Sequence, residues 1–61
     1  MSFRLTLETG NAAFADQPGI ECARLLRQAA ENVEAGALCE NLIDENGNHV
    51  GFWRLDMGDE K

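Results

Sequence analysis

Sixty-one residues allow one domain, expected to span 1–61 with residues 58–61 as a frayed tail. A chain this short buries only about 60% of the surface of its unfolded form. That leaves little room for an enclosed substrate pocket, which weighs against an enzyme. The formal net charge is −6, which disfavours nucleic acid as a partner because a phosphate backbone needs a basic stripe.

The charge is unevenly placed. Arg4, Arg24 and Arg27 balance Glu8, Asp16 and Glu21 in the first half. The second half holds Glu31, Glu34, Glu40, Asp44, Glu45, Asp56, Asp59 and Glu60 against Arg54 and Lys61, and so carries the whole net charge. A concentrated negative field attracts basic surfaces, although acidity also keeps a small protein soluble.

Along the chain, Phe3, Leu5 and Leu7 alternate with Arg4, Thr6 and Glu8, the period of a half-buried strand. Turn residues follow, and Phe14 is positioned to plug the core from this connection. Asp16-Gln17-Pro18 reads as a helix start, with Asp16 as the cap and Pro18 in the first turn. Ile20, Ala23, Leu26, Ala30 and Val33 then recur at helical spacing, widened by Cys22, Leu25 and Ala29. Glu21, Arg24, Arg27, Gln28 and Glu31 are expected on the solvent side, with Arg27 and Glu31 able to pair. Gly36 suits a left-handed stop.

Leu38, Glu40 and Leu42 alternate again. Asp44-Glu45-Asn46-Gly47-Asn48 is a turn signal, in which Asn46-Gly47 suits a two-residue type I′ hairpin. His49 to Met57 is the returning strand. The expected architecture is α+β, in the order β-α-β-β, with one helix packed on a three-stranded, largely antiparallel sheet. The helix-facing side of the sheet takes Phe3, Leu5, Leu7, Leu42, Trp53 and Leu55. Ile43, Val50 and Phe52 then point to the open side and form a candidate apolar anchor. A bulge would exchange the faces locally.

The chemistry available is limited. Tyrosine is absent, His49 is the single histidine, and the hydroxyls are Ser2, Thr6 and Thr9. Neither Cys22 nor Cys39 sits in a nucleophile signature, and two cysteines do not make a disulfide framework. Free cysteines are usually small core hydrophobes. Asp44, Asn46 and Asn48 suggest a calcium loop, but Gly47 falls fourth and Leu55 twelfth where an EF-hand needs glycine sixth and glutamate twelfth. Cys22, Cys39 and His49 form no recognised zinc pairing. No catalytic residue, cofactor or metal is expected. The N-terminus lacks a basic segment followed by an apolar run, and the apolar runs are too short to span a membrane. A reducing cytoplasm is the expected location.

Asn11-Ala12-Ala13-Phe14, Ala23-Arg24-Leu25-Leu26, Asp44-Glu45-Asn46-Gly47-Asn48 and Val50-Gly51-Phe52-Trp53-Arg54-Leu55 resemble very short phage and prophage proteins across roughly residues 3–55. The chain also resembles small anti-CRISPR inhibitors of type I systems, in particular type I-C. That resemblance implies an acidic protein that imitates DNA and occupies a basic DNA-binding or PAM-reading surface of the effector. The residues expected to carry this are Glu31, Glu34, Glu40, Asp44, Glu45 and Asp56. The alternative is a phage accessory or structural protein that binds a host protein, or itself as a weak homodimer, through Ile43, Val50 and Phe52.

Overall fold

The computed structural model describes residues 1–58, so the expected tail lies mostly outside the described residues. Strand β1 covers Ser2–Leu7, helix α1 Pro18–Glu34, β2 Cys39–Ile43 and β3 His49–Asp56. A 3-10 turn, Ala12–Phe14, sits between β1 and α1. The sheet order is β1-β3-β2 with both pairings antiparallel. This is the expected β-α-β-β domain of the α+β class. Among the described residues no helix is long and apolar enough to cross a membrane.

Local chemistry explains most boundaries. Pro18 occupies the first helical turn, where its missing N–H is not needed. Asp16 does not cap the helix, because the cap position falls one residue later at Gln17, which makes no side-chain cap bond. At the other end Gly36 adopts φ +113°. Its N–H donates to the Val33 carbonyl and the Ala37 N–H donates to the Asn32 carbonyl. These two bonds form a Schellman closure, which a left-handed glycine makes possible.

The hairpin is wider than an Asn-Gly pair. The Asp44 N–H donates to the Asn48 carbonyl, and the Gly47 N–H donates to the Asp44 carbonyl. Glu45, Asn46 and Gly47 thus form a three-residue loop, with Gly47 as its positive-φ residue at 87°. Asp44 accounts for the extra width, since its carboxylate accepts the N–H groups of both Asn46 and Asn48.

The core consists of Phe14, Leu25, Ala29, Leu42, Val50 and Trp53. Phe14 plugs it from the 3-10 turn as expected. Trp53 is completely buried, and Phe3 stacks on it with ring centroids 5.4 Å apart. Leu5, Leu7, Cys22, Val33 and Leu55 pack around this centre. Cys39, in contrast, is exposed.

Two expectations about facing are corrected. Val50 does not point to the open side; it is 2% exposed and part of the core. The register explains this. Leu42 pairs with Gly51 while Ile43 pairs with His49, so Val50 has no opposite residue and forms a bulge. The extra residue lets Val50 and Trp53 share one face despite their odd separation. On the helix, the buried stripe is the flank with Glu21, Leu25 and Ala29, while Ile20 and Leu26 face outward. Polar partners on the sheet side draw Glu21 and Gln28 inward, as described below. The Arg27–Glu31 pair is not formed; the ion pair among the described residues is Arg24–Glu21.

At the bulge, a Cβ on Gly51 would fall on the Thr6 carbonyl oxygen of the neighbouring strand. A Leu7 side-chain methyl at 2.9 Å can shift, but the Thr6 carbonyl is backbone held in the β1–β3 pairing and cannot. Gly19 lies in the helix with open space around it. We therefore expect Gly51→Ala to destabilise the domain by about 1–3 kcal/mol and Gly19→Ala to stabilise it by about 0.5–1 kcal/mol. Urea unfolding followed by Trp53 fluorescence reads both. Equal effects of the two substitutions would contradict the packing at the bulge.

Candidate functional site

Glu21 and the six carboxylates expected to bind a partner divide into two groups according to what their oxygens touch. The inner group is Glu21, Glu40 and Asp44. Glu40 and Leu42 share a face by strand alternation, so Glu40 points at the helix. It lies directly opposite Trp53 on β3. One carboxylate oxygen accepts the Trp53 indole N–H at 2.7 Å. The other accepts Gln28 at 2.9 Å and Asn32 at 2.6 Å. Burial pushes the Glu40 carboxyl up, but the bonds from Gln28, Trp53 and Asn32 outweigh it and hold it below its ordinary value.

Asp44 is 4% exposed, not solvated at a hairpin tip. Its Oδ1 accepts the backbone N–H groups of Asn46 and Asn48 at 2.9 and 2.8 Å. Its Oδ2 accepts the side chains of Asn11 at 3.2 Å and Asn48 at 3.4 Å. Burial again acts upward, and the donors, led by the Asn48 N–H, carry the net shift downward. This one carboxylate ties the hairpin to the connection after β1.

Glu21 sits in the first turn of α1 and is also buried. Arg24 grips it with two bonds, at 2.9 and 2.7 Å, and the Glu45 N–H donates to it at 3.1 Å. The Arg24 bond is the main reason its carboxyl is lowered; burial opposes it and the Glu45 N–H assists it. The second Arg24 nitrogen also reaches the Ile43 carbonyl at 3.4 Å.

The outer group is Glu31, Glu34, Glu45 and Asp56, all exposed. The structure does not gather them into one patch. Glu31 and Glu34 lie in the last turn of α1, which holds no basic residue. Glu45 lies at the opposite end, beside Glu21 in the first turn. Glu21 and Glu34 are separated by about 20 Å along the helix axis at 1.5 Å per residue. Asp56 ends β3, near the chain that leaves the helix, because Leu55 bonds back to Leu38. It belongs to the sheet layer, whereas Glu34 belongs to the helix. Beside Glu45 is Asp16, which the sequence suggested as a cap; both line a polar hollow with Gln17 and Ile20.

The open side of the sheet differs in character. Phe52 is 45% and Ile43 41% exposed there, and Cys39 joins Phe52 and Arg54 in a shallow hollow. Arg4 stands directly opposite Arg54 across the β1–β3 pair. Asp56 lines the same hollow and a second one with Arg4 and Arg54, so this surface is apolar with mixed charge. Among the described residues no three of His, Cys, Asp and Glu converge as a metal-holding group.

No family model, curated protein or solved structure matches this chain.

Two outcomes follow from the inner group. Glu40→Ala leaves the buried indole N–H and two amide groups without an acceptor, at a cost of about 2–3 kcal/mol, read by urea unfolding. A loss no greater than that of a surface substitution would contradict the clamp. The carboxyls of Glu21, Glu40 and Asp44 are all lowered in the fold. Their contribution is therefore present above the ordinary carboxylate range, about pH 4, and is lost as pH falls through and below it. Unfolding free energy should fall steeply with acid below about pH 4.5, and Asp44→Asn should make that slope shallower.

Proposed function

We propose that this protein is a non-catalytic acidic binding domain that takes a basic protein surface, acting as a phage inhibitor of a type I CRISPR effector by imitating DNA. The observation that carries the reading is the placement of Glu31 and Glu34. Both occupy the last turn of α1, where no basic residue compensates them. Negative charge at a helix C-terminus opposes the macrodipole, at about 0.3–1 kcal/mol each. A local rule broken without a structural gain marks a functional position.

The division of labour supports the same reading. Glu21, Glu40 and Asp44 have their oxygens occupied by internal donors. Glu31, Glu34, Glu45 and Asp56 are exposed and, among the described residues, in no ion pair. Exposed carboxylates spread along about 20 Å suit an extended basic channel better than a single pocket. Surfaces that capture DNA are lined by Lys and Arg, and opposite charge speeds encounter with them. The partner is thus a basic protein surface of the bacterial host, and the inner carboxylates serve as the scaffold that holds the outer ones apart.

A second reading rests on the open sheet side. Phe52 and Ile43 are exposed next to each other's strands, which suits a phage accessory protein that binds a host protein by apolar contact. Val50 has no part in it.

Glu31→Lys with Glu34→Lys separates function from fold. The double variant should be more stable than the parent by about 0.5–2 kcal/mol, since it now complements the helix dipole. It should also lose most of its inhibition in a plasmid-interference assay in cells with an active type I-C system. The parent should rescue the targeted plasmid, and its binding to the effector should weaken with salt. A folded, expressed parent that gives no rescue would overturn the proposed target. Full rescue by the charge-reversed variant would overturn DNA mimicry, and loss of rescue on Phe52→Glu alone would favour the open-side reading.

A further inference from the structure

The two edges of the sheet are not alike. The β2 edge is short, its pairing is interrupted next to Ile43 by the Val50 bulge of β3, and it is partly covered where Arg24 reaches the Ile43 carbonyl. Those are ordinary ways of blunting an edge. The β1 edge has none of them. It is a regular six-residue strand with no proline, no lysine and no bulge in its pairing to β3.

The hydrogen-bond parity of β1 is fixed. The Glu8 N–H donates to the Val50 carbonyl, and the register pairs Thr6 with Phe52 and Arg4 with Arg54. Even-numbered residues therefore bond inward to β3. The N–H and C=O groups of Phe3, Leu5 and Leu7 point away from the sheet, toward an edge where no strand lies among the described residues. On the helix side of that edge lies an apolar groove lined by Phe3, Leu5, Leu26, Ala29, Ala30 and Val33. Leu26 is half exposed there.

We propose that the β1 edge pairs antiparallel with β1 of a second copy of this chain, with Thr6 on the twofold axis, forming a continuous six-stranded sheet.

Charge selects the occupant and the register. Residues that face each other in an antiparallel pair share a side of the sheet. With Arg4 on the twofold side of centre, Arg4 would meet Arg4 of the second copy. With Thr6 at the centre, Arg4 meets the partner's Glu8, and Glu8 meets the partner's Arg4. Leu5 then pairs with the partner's Leu7 on the helix side, so an apolar residue of the second copy extends the floor of the groove. Within one copy Arg4 faces Arg54, an unfavourable like-charge neighbour. Asp56 shares a hollow with both arginines, and the Glu8 carboxylate of the second copy adds an acid on the free side of Arg4. A twofold axis perpendicular to the sheet leaves both helices on the same side and both open sides free. The Phe52 and Ile43 surface and the outer carboxylates are thereby presented twice, which allows bivalent binding.

Sedimentation of the full chain between about 10 µM and 1 mM tests this, the interface being a small one. The parent should pass from monomer to dimer across the series. Arg4→Glu alone, and Glu8→Arg alone, should each weaken the dimer about tenfold or more, because two attractive pairs become two repulsive ones. Circular dichroism checks that both stay folded. The exchanged variant, Arg4→Glu with Glu8→Arg, should restore the dimer. A parent that stays monomeric throughout would overturn the proposal. So would a dimer insensitive to both single substitutions, an exchanged variant that does not recover, or a dimer abolished by Phe52→Glu, which would place the interface on the open side.

Discussion

The Glu40 carboxylate is the contact on which this fold depends. It joins all the layers at one point: β2 supplies the acid, β3 the Trp53 indole, and α1 the Gln28 and Asn32 amides. A small domain has few apolar residues with which to fix the angle between helix and sheet. Here a charged acceptor with three neutral donors fixes it directionally, next to a tryptophan with no exposed surface. Bonds to an ionised group are stronger than neutral ones, and the amide and indole donors leave no buried cation to desolvate. Asp44 and Glu21 do similar work at the other end of the helix, where one holds the hairpin and the other anchors it to the first turn.

This arrangement changes the meaning of an acidic composition. A net charge of −6 suggests a surface covered in carboxylates, but part of that charge is internal framework. The external part sits at two ends and in two layers, and on the open sheet side Asp56 lies beside Arg4 and Arg54. A partner that reads the whole molecule meets separated negative points, with an apolar surface of mixed charge on the open side of the sheet.

Much of the architecture was legible in the sequence. Alternation in residues 3–8, Pro18, Gly36 and the turn around Gly47 located the elements and their order, and Phe14 was recognisable as a plug. The site was less legible, for a physical reason. Residue type says that Glu40 and Asp44 are charged, not whether donors surround them. The signal was present in the parity, since residues 40, 42 and 44 alternate on one side and Leu42 is plainly a core residue. Likewise, apolar periodicity alone favoured Ile20 and Leu26 on the inner stripe; the pairing of Gln28 and Asn32 with a strand glutamate is a long-range contact that periodicity does not see. Val50 was misplaced because a single unopposed residue at a bulge shifts strand parity, and a bulge leaves only Gly51 as its trace.

The central claim is that inner and outer carboxylates do different work, and site-resolved carboxyl titration by NMR tests it most directly. Glu21, Glu40 and Asp44 should each titrate below the ordinary values of 4.5 for glutamate and 3.8 for aspartate. Ordinary or raised values at those three positions would mean that they are not the scaffold, and the separation of fold from function described here would not hold.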